Sequence, residues 1–281
     1  MELAKVGTQS FIALAVGAVL AIALPILLAI LWKIKKKEPF TTILIGAATF
    51  VLFALLLEKL LQAVVIAPTQ LGLSDHALSR FINARPLLWA FVAALFPGVF
   101  EETGRLVAFK TVLRKRRNRE TAISHGIGHG GIEAMFLLGV TFIEYLVFAV
   151  MINHGSFQML IDQTASQLPG QEAALTDMAA QIAAFSFGGL ALSLAERVFA
   201  VLFHIGASML VFYACRDKNR RWLYPLAIVL HTAMDFRAAL AMTDLFRPPV
   251  WALELIFAAF GILVFLLAYF LLYRKDKERR S

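Results

Sequence analysis

Residues 10–37 read SFIALAVGAVLAIALPILLAILWKIKKK. The apolar run from Ser10 to Trp32 is long enough for a bilayer core, which takes about 20 such residues as a helix. It ends in the basic cluster Lys33–Lys37. A cleavable leader carries its positive charge before the apolar core, so this order predicts a retained membrane helix. Six more stretches read the same way: Phe40–Ala67, Leu87–Phe109, Gly130–His154, Ile182–Ala214, Trp222–Met242 and Val250–Tyr273. The fifth is long, and Gly188-Gly189 is the expected place for a break or tilt. The 281 residues are 60% hydrophobic, against about 45–50% for soluble chains. No polar or Pro-rich stretch divides them. The expectation is one all-α, polytopic membrane bundle of about seven helices spanning 1–281.

The basic residues set its orientation. Alternate segments hold Lys33–Lys37, Lys110–Arg119, Arg216–Arg221 and the tail Arg274–Arg280, together 19 of the 27 Lys and Arg. The other set carries only Lys5, Arg80, Arg85 and Arg247. The positive-inside rule then puts the N-terminus outside and the C-terminus in the cytoplasm. The net charge of +8 is read as a topology signal, with no nucleic-acid partner. The outside segment 155–181 has room for a short interfacial helix. A single cysteine, Cys215, excludes an internal disulfide framework and a cysteine-based metal cage.

Ionisable groups at membrane depth are costly, and they commonly face a bundle interior and act there. Four predicted helices carry them: Glu101, Glu102 and Arg105 in FEETGR; His129 and Glu133 in GHGGIE; His204 with Glu196 and Arg197; His231 and Asp235 in LHTAMD. Glu101/Arg105, His129/Glu133 and His231/Asp235 are four apart, hence on one helix face. Glu101 and Glu102 diverge by about 100° and cannot share a role. At 1.5 Å per residue, Glu102, His204 and His231 lie about 12–16 Å from the basic ends of their helices, so the groups share one level on the cytoplasmic side. Histidines with a carboxylate suit catalytic zinc, and a nearby glutamate can serve as general base. His129, His204 and His231 with Glu102 or Glu133 supply such a set; a metal-free version, with a desolvated glutamate activating water, is the alternative.

At these residues the chain resembles the YhfC family of intramembrane metalloproteases, grouped with PrsW and the CAAX-prenyl endopeptidase and bacteriocin-processing families. The resemblance covers most of the chain. In the latter families paired glutamates before an arginine carry the general base, and two further helices each contribute a histidine. The resemblance implies that Glu101-Glu102 match the paired glutamates, His204 the second motif, and His231 with Asp235 the third. These last two would orient a substrate carbonyl, stabilise an oxyanion or bind metal. Here Arg105 comes one residue earlier than in that motif, and Phe199 stands five residues before His204 instead of four.

The resulting expectation is a multi-pass peptidase of the bacterial plasma membrane acting on a membrane-embedded or membrane-associated peptide or protein. Its zinc would sit on His129, His204, His231 and Glu133, with Glu102 as base and Glu101 holding Arg105 or a neighbouring helix. Its cavity is expected on the cytoplasmic side. Competing readings are a non-proteolytic scaffold on the same fold, in which the EETGR charges only lock helices, and a proton-coupled transporter. The glycines of GHGGIE are expected to serve helix packing, Glu58/Lys59 a local pair, and His76 a solvated loop position.

Overall fold

In the computed structural model, residues 3–167, 170–243, 245–246 and 248–276 are described, and these are entirely helical and irregular, without strands. In chain order the helices are α1 (Thr8–Lys36), α2 (Phe40–Ile66), α3 (Ala77–Asn83), α4 (Pro86–Lys110), α5 (Glu120–His154), α6 (Phe157–Gln167), α7 (Glu172–Ala183), α8 (Phe187–Arg216), α9 (Leu223–Ala241) and α10 (Val250–Asp276). α2 and α5 contain π-helical turns at Val51–Glu58 and Met135–Val140. Among the described residues six helices are long and apolar enough to cross a membrane: α1, α2, α4, α5, α8 and α10. Of the expected basic tail, Lys277, Arg279 and Arg280 lie outside the described residues, as does Arg247.

Five sequence expectations change. α5 starts at Glu120, ten residues before the expected Gly130. The fifth stretch is interrupted at Ala184–Ser186, just before the glycine pair, so Ile182 belongs to α7 and α8 starts at Phe187. The 155–181 segment holds two helices, α6 and α7, in place of one. α9 forms where the sixth stretch was expected but stands outside the apolar set, because His231, Asp235 and Arg237 interrupt it. His76 is not simply solvated: its Nδ1 accepts from the Ser79 backbone and closes a capping box on α3.

The chain divides into two compact units, residues 1–26 with 134–197 and residues 27–133 with 198–281. In the first, Leu14, Phe142, Phe157 and Ile182 are buried together. Asn153 exchanges two hydrogen bonds with the Val6 backbone, at 2.8 and 3.0 Å. Gly155, at φ +77°, ends α5 in the left-handed conformation that glycine adopts without steric cost.

The second unit is built around α8, whose residues 203–214 are all buried; a helix covered on every side is a core helix. The first half of α5 reaches its neighbours through glycines. A Cβ on Gly126 would come within 2.5 Å of Ile205 Cα on α8, and one on Gly128 would strike the Ile43 carbonyl oxygen on α2. α4 and α9 pack together as closely, since a Cβ on Gly98 would meet Thr232 Oγ1 and lie 2.9 Å from Ile228 O. These close approaches bring α4, α5, α8 and α9 within side-chain reach of one another.

Candidate metal and catalytic site

All the polar residues singled out on α4, on α5 and at His204 and α9 fall within the second unit. Glu101, Glu102, Arg105, His129, His204 and His231 are each at most 6% exposed. Arg105 organises them. Its Nη1 donates to Glu102 Oε1 at 2.7 Å, its Nη2 to His204 Nδ1 at 2.6 Å, and its Nε to Ser208 Oγ at 3.3 Å. A guanidinium can only donate, so His204 Nδ1 is an acceptor. Neutral His204 therefore carries its proton on Nε2, which faces Glu133.

The adjacent glutamates part as their rotation on α4 requires. Glu102 points to α9: its Oε1 also accepts from His231 Nδ1 at 2.7 Å, and its Oε2 is buried with no hydrogen-bond partner among the described residues. Glu101 points to α5, with Oε2 2.7 Å from His129 Nε2 and 3.7 Å from Arg105. His231 Nε2 stands 3.4 Å from Asp235 Oδ2. The His129 and His204 rings are 5.0 Å apart, and those of His204 and His231 5.5 Å.

Glu101, His129, Glu133 and His204 can hold a metal ion: each offers a ligand atom, and the four atoms lie within 4.8 Å of one another. Tetrahedral ligands about 2.1 Å from an ion sit about 3.4 Å apart, so a small contraction suffices. The donors are two imidazoles and two carboxylates, a nitrogen–oxygen set suited to zinc. His129 Nδ1 is buried with no hydrogen-bond partner among the described residues, which leaves one imidazole nitrogen uncommitted. Since His204 Nε2 carries a proton here, ligation at that atom would release it. Three of the four ligands expected from the sequence are in this group. Glu101 holds the place assigned to His231, which is tied to Glu102. The choice between neighbouring glutamates depends on how α4 is rotated, and the sequence does not carry that.

One buried residue was missed. His125 precedes His129 by four and Glu133 by eight, so all three share one face of α5. Its Nδ1 lies 3.2 Å from Ser208 Oγ and its Nε2 3.3 Å from Thr49 Oγ1. Thr49 donates to Ile45 O at 2.7 Å, and Ser208 accepts from Arg105. The chain of bonds thus runs one way, from Arg105 through Ser208 and His125 to the Ile45 carbonyl. The fourfold spacing was available as a signal, but expecting the helix to start at Gly130 left His125 in a loop. Glu196 and Arg197 form a local pair at 2.8 Å, as do Glu58 and Lys59 at 2.9 Å.

The cavity that reaches this cluster touches it at Asp235. Its other lining residues come from the C-terminal part of α2, the turn after it, the N-terminal half of α4 and the C-terminal end of α9. It lies toward the ends of these helices remote from Lys110 and Leu223.

A helical membrane protein with a buried histidine–glutamate site is the class this arrangement defines. The family model described as YhfC intramembrane metalloprotease matches residues 20–272, and the chain belongs to that family. It is 32% identical over 239 residues to a Bacillus subtilis (strain 168) protein described as uncharacterized membrane protein YhfC, covering 84% of this chain and 86% of that one. No solved structure matches.

Proposed function

We propose that this protein is an intramembrane peptidase of the bacterial plasma membrane, and that it hydrolyses peptide bonds of a membrane-associated substrate. In this reading the chain crosses the membrane seven times, α9 included, with the N-terminus outside. The observation that carries the chemistry is the state of Glu102. One oxygen is fixed by Arg105 and His231, while the other is buried with no hydrogen-bond partner among the described residues, beside a four-residue donor set. That is the arrangement of a positioned general base.

Glu101, His129, Glu133 and His204 would hold zinc. When bound, zinc supplies Lewis acidity, lowering the pKa of water toward about 7 and polarising a carbonyl. Glu102 takes a proton from the attacking water at Oε2 and returns it to the departing amine. Arg105 aims Glu102, and it also fixes the tautomer of His204. His231, between Glu102 and Asp235, faces the substrate side and orients the scissile carbonyl.

The test uses full-length protein in proteoliposomes with transmembrane reporter peptides, reading products by mass spectrometry and metal by elemental analysis. Glu102→Gln should lower hydrolysis at least about 100-fold while retaining the wild-type metal content. His129→Ala should lose both metal and hydrolysis. Equal cleavage by wild type and Glu102→Gln would refute the assignment. Intact partner binding with no hydrolysis by wild type would favour a scaffold.

A further inference from the structure

Pro97 lies inside α4. It has no N–H, so the Ala93 carbonyl four residues earlier lacks its helical partner. The Gln62 side chain on α2 answers it, Nε2 donating to Ala93 O at 3.3 Å. This pair stands in the wall of the cavity of about 490 Å³ described above. Exposed Gln70 and Met242 mark its outer end, and buried Ala94 and the half-buried Asp235 its inner end. The Asp235 side chain is 35% exposed, whereas those of Glu101, Glu102, His129 and His231 are 0–7% exposed. The cluster therefore meets the cavity through Asp235, and His231 links Asp235 to Glu102.

We propose that this cleft is the substrate groove. An extended polypeptide segment enters it from the Gln70–Met242 end, opposite the basic segment Lys110–Arg119, and is held by its main chain at the Ala93 carbonyl and the Gln62 amide. The proposal rests on the peptidase reading of the cluster. It differs from the sequence expectation, which placed the cavity on the cytoplasmic side.

The lining argues for this occupant. Six of the fourteen lining residues are alanine, Ala63, Ala67, Ala93, Ala94, Ala238 and Ala239, and such short side chains leave room for those of a substrate. Between them stand Lys59, Gln62, Gln70 and Asp235. An acyl chain gains nothing from these polar groups. A helical peptide satisfies its own backbone and is about 10 Å wide. An extended backbone away from water carries N–H and C=O groups that must find partners, and a proline-freed carbonyl beside a side-chain amide that can exchange it for a substrate offers both kinds.

Two measurements test the proposal, neither needing catalysis. In a Cys215→Ser background, Ala238→Cys and Lys115→Cys are treated separately in sealed vesicles with a membrane-impermeant maleimide. The two thiols should react from opposite faces; reaction from the same face overturns the route. Full-length protein in nanodiscs is then titrated with a fluorescent alanine-rich decapeptide. Wild type and Glu102→Gln should bind it alike, Gln62→Leu should bind at least fivefold more weakly, and a bulky maleimide on the Ala238→Cys thiol, added after folding, should abolish binding. Peptide binding that ignores the adduct overturns the groove, even if the wild type hydrolyses reporters. A brominated phospholipid that quenches Trp89 and is not displaced by peptide also overturns it, in favour of a lipid slot. Adduct-sensitive binding without any hydrolysis sinks the peptidase reading and leaves the groove standing.

Discussion

Arg105 carries more of the site than any other residue. It is fully buried and uses three different nitrogens on Glu102, His204 and Ser208. A lysine keeps the charge but gathers its donors on one nitrogen, so it cannot reproduce three bonds made from three separate nitrogens of a planar fork. Arg105→Lys should therefore lower the detergent melting temperature and, through His204, the metal content; a variant matching wild type in both would show that charge alone matters. Glu38 lies outside the spans, in the α1–α2 link. It is buried and accepts from Asn118, and burial raises its carboxyl above the usual 4.5, opposed by the Arg116 charge. A raised folded-state value means that the fold prefers the protonated acid. The stabilising contribution is complete below about pH 4.5 and is lost as pH rises through the raised value. Glu38→Gln should consequently raise the melting temperature at pH 7, with a gain that shrinks toward pH 4. Melting curves across that range check the sign, and a gain that grew on acidification would reverse it.

The first half of α5 is the element on which the site's assembly turns. Gly128 faces the Ile43 carbonyl, and the carbonyl of His125 faces Gly46 in return. Backbone meets backbone there, so no rotamer change can absorb an added methyl, and overpacking of this kind costs about 1–3 kcal/mol. Gly128→Ala should lose about that much stability, or fail to yield monodisperse protein. Gly188→Ala in the first turn of α8, where the nearest atom would be 3.7 Å away, should be neutral; thermal melts of the pair make the comparison. The same glycines explain what the sequence hid. They lower local hydropathy, which moved the expected start of α5 to Gly130 and took His125 out of view. The packing role of GHGGIE was legible because small residues have few other uses between helices. The glycine pair Gly188-Gly189 signalled a break in the fifth stretch, but not its place at Ala184–Ser186, since the apolar pattern runs through those residues without a proline or charge. The four-helix origin of the site was legible from depth and fourfold spacing, whereas the partner of each glutamate depended on helix rotation.

At the scale of the whole molecule the open quantity is parity. Six apolar helices alone would return both termini to one side; counting α9 sends them to opposite sides. α9 has 19 residues, which at 1.5 Å each span about 28 Å, close to the ~30 Å hydrocarbon core. Its low hydropathy comes from side chains with protein partners. His231 bonds to Glu102, and Arg237 donates to Leu253 O at 3.1 Å with its guanidinium 4.6 Å from the Phe257 ring centroid. A helix whose polar groups are satisfied inside a bundle can cross without being apolar itself. The basic segment Arg216–Arg221 and the basic tail from Arg274 also fall on one side only if α9 crosses. Fusions of a fluorescent protein that matures in the cytoplasm and a phosphatase active outside, placed after Ser281 and before Lys5, should report opposite compartments, with the C-terminus inside. The same compartment at both ends would make α9 a re-entrant element. His231 and Asp235 would then approach Glu102 from a hairpin, which the groove and the catalytic pairing would both have to accommodate.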